Sequence, residues 1–191
     1  MKTVDNVVTE IIALYERFGH DDYIGEPVSQ LEHMSQSAEL AIENGFDDEV
    51  VLAAFFHDIG HICVEKNNTN DMAGYGIQSH EKIGADFLRA RGFPERVAQL
   101  IENHVKAKRY LTFKNPAYHD QLSEASKKTL KVQGGIMGPE EAEEFEKDPL
   151  FKISLLLRTW DEKAKEINKP VISLELIRSK SRALLMEQEK S

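Results

Sequence analysis

The stretch Val50-Val51-Leu52-Ala53-Ala54-Phe55-Phe56-His57-Asp58-Ile59-Gly60-His61 decides how the chain is read. An unbroken apolar run ends in an adjacent histidine and aspartate. Asp47-Asp48-Glu49 just before it supply the negative charge that favours a helix N-terminus, so the stretch predicts a buried helix carrying His57 and Asp58 at its C-terminal end. A buried carboxylate is costly unless it is paired or binds a metal. Imidazole and carboxylate together are a usual ligand set for divalent and trivalent metals. Taken alone, the dipeptide is more often two residues satisfying each other, or a cap before Gly60. The rest of the chain changes that balance.

Upstream, apolar residues from Val4 to Phe18 recur at helical spacing and predict a first helix over 4–18. Gly19 to Glu26 read as a loop. Pro27 opens a second helix, carrying His33 and ended by Gly45. Downstream, residues 60–78 form a long polar connection of the kind that is often functional. Ser79 is the expected cap of a fourth helix over 80–91, with His80 in its first turn. Pro94 starts a fifth over 94–110, with His104, and 111–121 read as irregular. A sixth, about 122–132, stops at Gln133-Gly134-Gly135. Pro139 opens a short acidic helix with a solvated face. The next, about 149–166, leads to Trp160 and Asp161, and Ser173 caps a last helix over about 173–188. No strand-like alternation competes, so the expected class is all-α: a single helical bundle over 1–191, with its ligand-bearing core at about 20–165.

Composition narrows the function. A length of 191 residues fits one domain, and 41% apolar residues can fill its core. A net charge of −9 advertises neither nucleic acid nor anionic membrane as a partner. Any bound anion must therefore be met by a local cluster of cations. The single cysteine, Cys63, excludes an internal disulfide and suits a reducing cytosol. The first residues lack a secretory pattern, and no apolar stretch reaches membrane-spanning length, so the expected location is cytoplasmic. There is no glycine-rich dinucleotide fingerprint, in keeping with no organic cofactor.

Six ionisable residues interrupt the apolar faces of five predicted helices: His33, His57, Asp58, His80, His104 and Asp161. Helical bundles build dinuclear metal sites from inward-facing ligands of this kind. Six ligands are too many for one metal with an open position. They suit two metals bridged by Asp58. Lys108 follows His104 by one turn, Arg158 precedes Asp161 by one turn, and His61 follows His57 at the same spacing across Gly60. Cations in register with ligands point to a pocket for a compact anion such as phosphate or phosphonate, which arginine can meet bidentately. Ser126 and Gln133-Gly134-Gly135 are further candidate donors.

The order His33, His57-Asp58, Asp161 resembles the HD-domain superfamily, and His80 with His104 resembles its two-metal members. Four further blocks narrow the likeness: Asp22 to Glu26, Asp71 to Gly76, His80 to Asp86 and His104 to Leu111. They are similar to the PhnZ-like organophosphonate oxygenases, a mixed-valence diiron branch of that superfamily, over about residues 20–165. The resemblance implies one iron held by His33, His57 and Asp161, a second held by His80 and His104, and Asp58 between them, with the pair as Fe2+/Fe3+. It implies that Tyr23 occupies an iron site until substrate arrives and that Glu26 meets the substrate's amino group. It also implies that His61, Lys108, Ser126 and Arg158 hold the phosphonate. The implied reaction is O2-dependent cleavage of the carbon–phosphorus bond of a 1-hydroxy-2-aminoethylphosphonate, giving inorganic phosphate and glycine or an N-methylated glycine. The alternative is a metal-dependent HD phosphohydrolase acting on a nucleotide or small phosphate ester through the same six ligands.

Overall fold

The structure, a computed structural model, describes residues 3–23, 25–65, 71–72 and 74–190. Ile24 and Ala73, inside two of the blocks quoted above, lie outside the described residues, as do 66–70 of the long connection and the first two residues. The described residues form ten α-helices: α1 Val4–Phe18, α2 Gln30–Glu43, α3 Asp48–Phe56, α4 His80–Arg89, α5 Glu95–Lys114, α6 Pro116–Gln121, α7 Glu124–Val132, α8 Pro139–Phe145, α9 Phe151–Lys163 and α10 Leu174–Gln188. A 3-10 turn, Ile59–His61, follows α3. Two isolated bridges, Asp22 with Ser29 and Asp71 with Ile77, tie off the loops before α2 and α4, and there is no strand among the described residues. None of the described helices is long and apolar enough to cross a membrane.

The all-α reading is borne out, and α3 is its axis. Every residue from Val50 to Phe56 is buried. Helices α2, α5, α9 and α10 pack around α3, while α1 lies on α10. A helix buried all round has no stripe for solvent, which explains the apolar run. Helix α8 is not simply a solvated face: its Ala142 and Phe145 are buried in a second apolar cluster with Ala107, Tyr110 and Met137.

Several boundaries differ from expectation for identifiable reasons. Helix α2 starts after Ser29 rather than at Pro27, because Ser29 and Glu32 form a reciprocal capping box. Ser79 does not cap α4 with its side chain; its backbone is left-handed, with φ of 57°. The stretch 111–121 is helical apart from Asn115. Pro116 forces the residue before it out of the helical region, so Asn115 is extended and ends α5. Its side chain then accepts from Ala117 N–H and caps α6. Helix α9 stops at Lys163, short of the expected 166, and Ala164 leaves helical geometry with φ −75° and ψ 50°.

Gly60 makes the core site possible. A Cβ there would lie 2.0 Å from the His80 carbonyl oxygen. Its absence lets the turn after Asp58 lie against the start of α4, bringing His80 beside Asp58. Gly60→Ala should therefore destabilise the protein by about 2 kcal/mol or more, as overpacking does. The midpoint of urea unfolding measures this, and an unchanged midpoint would show that the turn and α4 can separate freely.

Candidate metal centre and its pocket

The six expected donors converge. His33 Nε2 lies 3.1 Å from His57 Nε2, and Asp161 Oδ1 lies 3.4 Å from His33 Nε2 and 3.9 Å from His57 Nε2. His80 Nε2 lies 3.1 Å from His104 Nε2. Asp58 stands between the two groups with one oxygen toward each. Its Oδ2 is 3.4 Å from His57 and 3.8 Å from His33, and its Oδ1 is 3.1 Å from His80 and 3.5 Å from His104. All six residues are buried.

The hydrogen bonds show what these nitrogens are for. A carbonyl oxygen only accepts, so a ring nitrogen bonded to one carries the proton. His33 Nδ1 donates to Ala164 O at 2.9 Å, His57 Nδ1 to Ala54 O at 2.8 Å and His104 Nδ1 to Ile101 O at 2.6 Å. In the neutral ring each leaves a lone pair on Nε2. Two lone pairs facing each other repel unless a cation lies between them, as at His33 and His57, and the Nε2 atoms of His80 and His104 stand equally close. Two nitrogens bound at right angles to one metal, each at about 2.1 Å, stand about 3 Å apart, matching the pairs seen. Burial lowers the basicity of His57, but the neighbouring Asp58 outweighs it and raises its pKa to about 9. The site thus calls for positive charge where a metal would sit. The cluster can hold a pair of metal ions.

Both carboxylates are held ionised against burial. Burial pushes Asp58 up, but His57 and then His80 hold it well below the usual carboxylate range. Burial likewise pushes Asp161 up, and Arg158 leads the groups that outweigh it. The Arg158 guanidinium donates to Asp161 Oδ2 through Nη1, to Glu162 Oε1 through Nη2 at 2.5 Å and to Tyr118 Oη through Nε at 3.0 Å. Tyr118 in turn donates to Glu162 at 2.6 Å. Of the five N–H groups of arginine, one on each terminal nitrogen remains for an anion. Glu162 shares the α9 face of Arg158 and was legible from its spacing. Tyr118 was not, because it falls in the stretch read as irregular.

A cavity of about 710 Å³ opens over the centre. Its lining includes Asp58, His80, His104 and Asp161 on one side and Lys108, Arg158, Ser126, Thr129 and Gln133 on another. Lys108 is 3% exposed and donates to Thr129 Oγ1 at 3.1 Å. Burial, then the nearby Arg158, push its pKa down to about 7, a strain that a bound anion would relieve. Helix α7 supplies Ser126 and Thr129 while burying only Leu130. Across the opening, Lys128 of α7 donates to the Tyr75 hydroxyl at 2.5 Å.

His61 has the opposite polarity from the other rings. Its Nδ1 accepts from Ile77 N–H at 3.0 Å, so in the neutral ring Nε2 carries the proton. Burial, then His80, push its pKa down to about 3, keeping it neutral. His61 lies near Asp58 and His80, but its tautomer suits it to donate to a ligand rather than to bind metal. Gly76 keeps it in place, since a Cβ there would meet the ring at 2.5 Å.

Tyr23 stacks on His33 with ring centroids 4.0 Å apart and feels the charge of Asp58 and Asp161. Its hydroxyl is held protonated by burial and by the negative charge of Asp58 and Asp161. Glu26 does not line the cavity. Its carboxylate accepts from Lys165 Nζ at 2.6 Å.

Comparison with known proteins agrees with this geometry. The HD domain family matches residues 30–150. The chain is 41% identical to the [1-hydroxy-2-(trimethylamino)ethyl]phosphonate dioxygenase (glycine-betaine-forming) of Leisingera caerulea, over 84% of this chain and 81% of that one. It is 38% identical to the hydroxymethylphosphonate dioxygenase of Gimesia maris, over 86% of this chain and 81% of that one. It is also 48% identical to the uncharacterized protein L432 of Acanthamoeba polyphaga mimivirus, over 94% of this chain and 82% of that one.

Because one Asp58 oxygen faces each histidine pair, Asp58→Ala should lose both metals together. Elemental analysis of the purified variant reads this directly. Retention of two equivalents of metal would rule out the shared position of Asp58.

Proposed function

This chain belongs to the HD-domain family, among its PhnZ-like phosphonate dioxygenases, and on that premise we propose that it cleaves the carbon–phosphorus bond of 1-hydroxy-2-aminoethylphosphonate with O2, forming glycine and inorganic phosphate. The observation that carries the reading is the placing of Lys108, Arg158 and the His61 N–H around one cavity with the histidine–aspartate cluster. An acidic protein has buried two cations in the wall of the cavity that opens over the histidine–aspartate cluster, and a phosphorus oxyanion there would meet both. The pair would be iron, Fe2+/Fe3+, which when bound supplies Lewis acidity and one-electron chemistry toward O2. His33, His57 and Asp161 would hold one ion, His80 and His104 the other, with Asp58 shared.

The chain's own groups have defined tasks. Lys108 and the two remaining Arg158 N–H groups bind the phosphonate oxygens, and His61 Nε2–H and Ser126 add hydrogen bonds. As charge passes to the departing phosphorus group these fixed donors stabilise it without reorganising. Arg158 also keeps Asp161 ionised. Tyr23, stacked on His33 beside Asp58, would cover the metal position until the substrate displaces it. Glu26, released from Lys165, receives the substrate ammonium. A carboxylate suits an ammonium with N–H donors, which favours the primary amine over a trimethylated one.

The stoichiometry closes without an external reductant. The substrate supplies all four electrons, one oxygen of O2 enters the carboxylate of glycine and the other enters phosphate. That agrees with the absence of a dinucleotide fingerprint in the sequence. The phosphohydrolase alternative needs only a metal-activated water and no O2. It gives no task to the Tyr23 and Glu26 loop.

Incubation of the iron-loaded protein with 1-hydroxy-2-aminoethylphosphonate should release phosphate and glycine in equal amounts in air and neither under argon. Equal phosphate release without oxygen would replace this reading with hydrolysis. Lys108→Met should raise KM by about tenfold or more, the worth of one hydrogen bond to a charged group. Steady-state kinetics check this, with iron content unchanged.

A further inference from the structure

His33 differs from its partners in how its ring is aimed. His57 and His104 bond through Nδ1 to Ala54 O and Ile101 O, each three residues back in the chain. Those carbonyls come with the helix that carries the ring. His33 Nδ1 instead donates to Ala164 O at 2.9 Å, 131 positions along the chain. Ala164 lies just past the end of α9, where no helix fixes its carbonyl. The segment is held from α2. The Gln36 amide nitrogen donates to Glu166 O at 2.9 Å, and its amide oxygen accepts from Glu166 N–H at 3.0 Å. Gln36 follows His33 by one turn and is 1% exposed.

We propose that Gln36 is a positioning residue for the metal centre. By gripping the Glu166 backbone through both edges of its amide, it holds the Ala164 carbonyl against His33 Nδ1. That fixes the proton on Nδ1 and turns the Nε2 lone pair inward. Partners that orient a metal-bound histidine in this way typically change metal affinity by about ten- to hundredfold. The effect is confined to the side of the centre served by His33, since His80 and His104 share none of these contacts. The inference rests on the metal reading but not on the identity of the substrate.

The test is Gln36→Met, which keeps the side-chain length and removes the amide. Metal content and affinity are measured by competition against a chelator, with circular dichroism as the check on folding. The wild-type protein should hold two equivalents of iron. The variant should hold one as tightly and the other about tenfold more weakly or worse. Two equivalents at wild-type affinity would overturn the role of Gln36 alone. A wild-type protein that binds no metal would overturn the metal reading and this proposal with it. Should Gln36→Met fail to fold, Gln36→Glu keeps the acceptor for Glu166 N–H, loses the donor and should show the same one-sided loss. A third measurement reads the proton itself. In the zinc-loaded wild-type protein the His33 Nδ1–H should give a proton resonance protected from solvent exchange, and that protection should be lost in Gln36→Met; a His33 Nδ1–H that is equally protected in both would count against the clamp.

Discussion

The structure depends on one buried carboxylate used from both sides. Asp58 turns one oxygen to each pair of imidazoles, and everything around it serves that arrangement. The apolar helix α3 carries it inward, Gly60 lets α4 come close enough to contribute His80, and α2, α5 and α9 close the ring with His33, His104 and Asp161. An isolated ionised carboxylate in such a place would cost several kcal/mol. Here two of them share a region with four imidazoles and a guanidinium, so the burial is offset locally.

The same logic separates the two roles histidine plays. Rings whose Nδ1 donates to a carbonyl offer a lone pair at Nε2, whereas the ring whose Nδ1 accepts from Ile77 N–H offers a proton there. Backbone polarity at one edge of the ring thus sets the chemistry at the other. Five histidines lie within a few ångströms of one another without being interchangeable. The charge pattern follows a parallel division. The protein carries a net charge of −9, yet the cavity wall presents Lys108 and Arg158, each nearly sealed from water. An anion entering this cavity would be met by a local field that the overall charge opposes, so its selection would rest on the pocket rather than on long-range attraction.

Much of this was legible in the chain because the donors break a pattern. A histidine or aspartate in an otherwise apolar helix face stands out, and His33, His57, Asp58, His80, His104 and Asp161 all do so. The spacing of Lys108 from His104 and of Arg158 from Asp161 followed from helical geometry alone. What supports these residues was not legible. The partners Ala164 and Glu166 act through main-chain atoms and lie about 130 positions from the residues they meet. Tyr118 belongs to a helix of six residues, too short to show a period, begun by an Asn115-Pro116 step that read as a break. The left-handed Ser79 escaped for a similar reason, since serine before a helix ordinarily announces a cap.

Helix α7 has a further consequence. It contributes Ser126 and Thr129 to the cavity, yet Leu130 is the one side chain it buries fully. Segments with so shallow a root open locally at a small fraction of the free energy needed to unfold the whole. The ligand-bearing helices are anchored in the main core, so the cavity pairs a stiff floor with a wall that can breathe. A small molecule entering the cavity would then displace α7 at less cost than any of the helices beneath it.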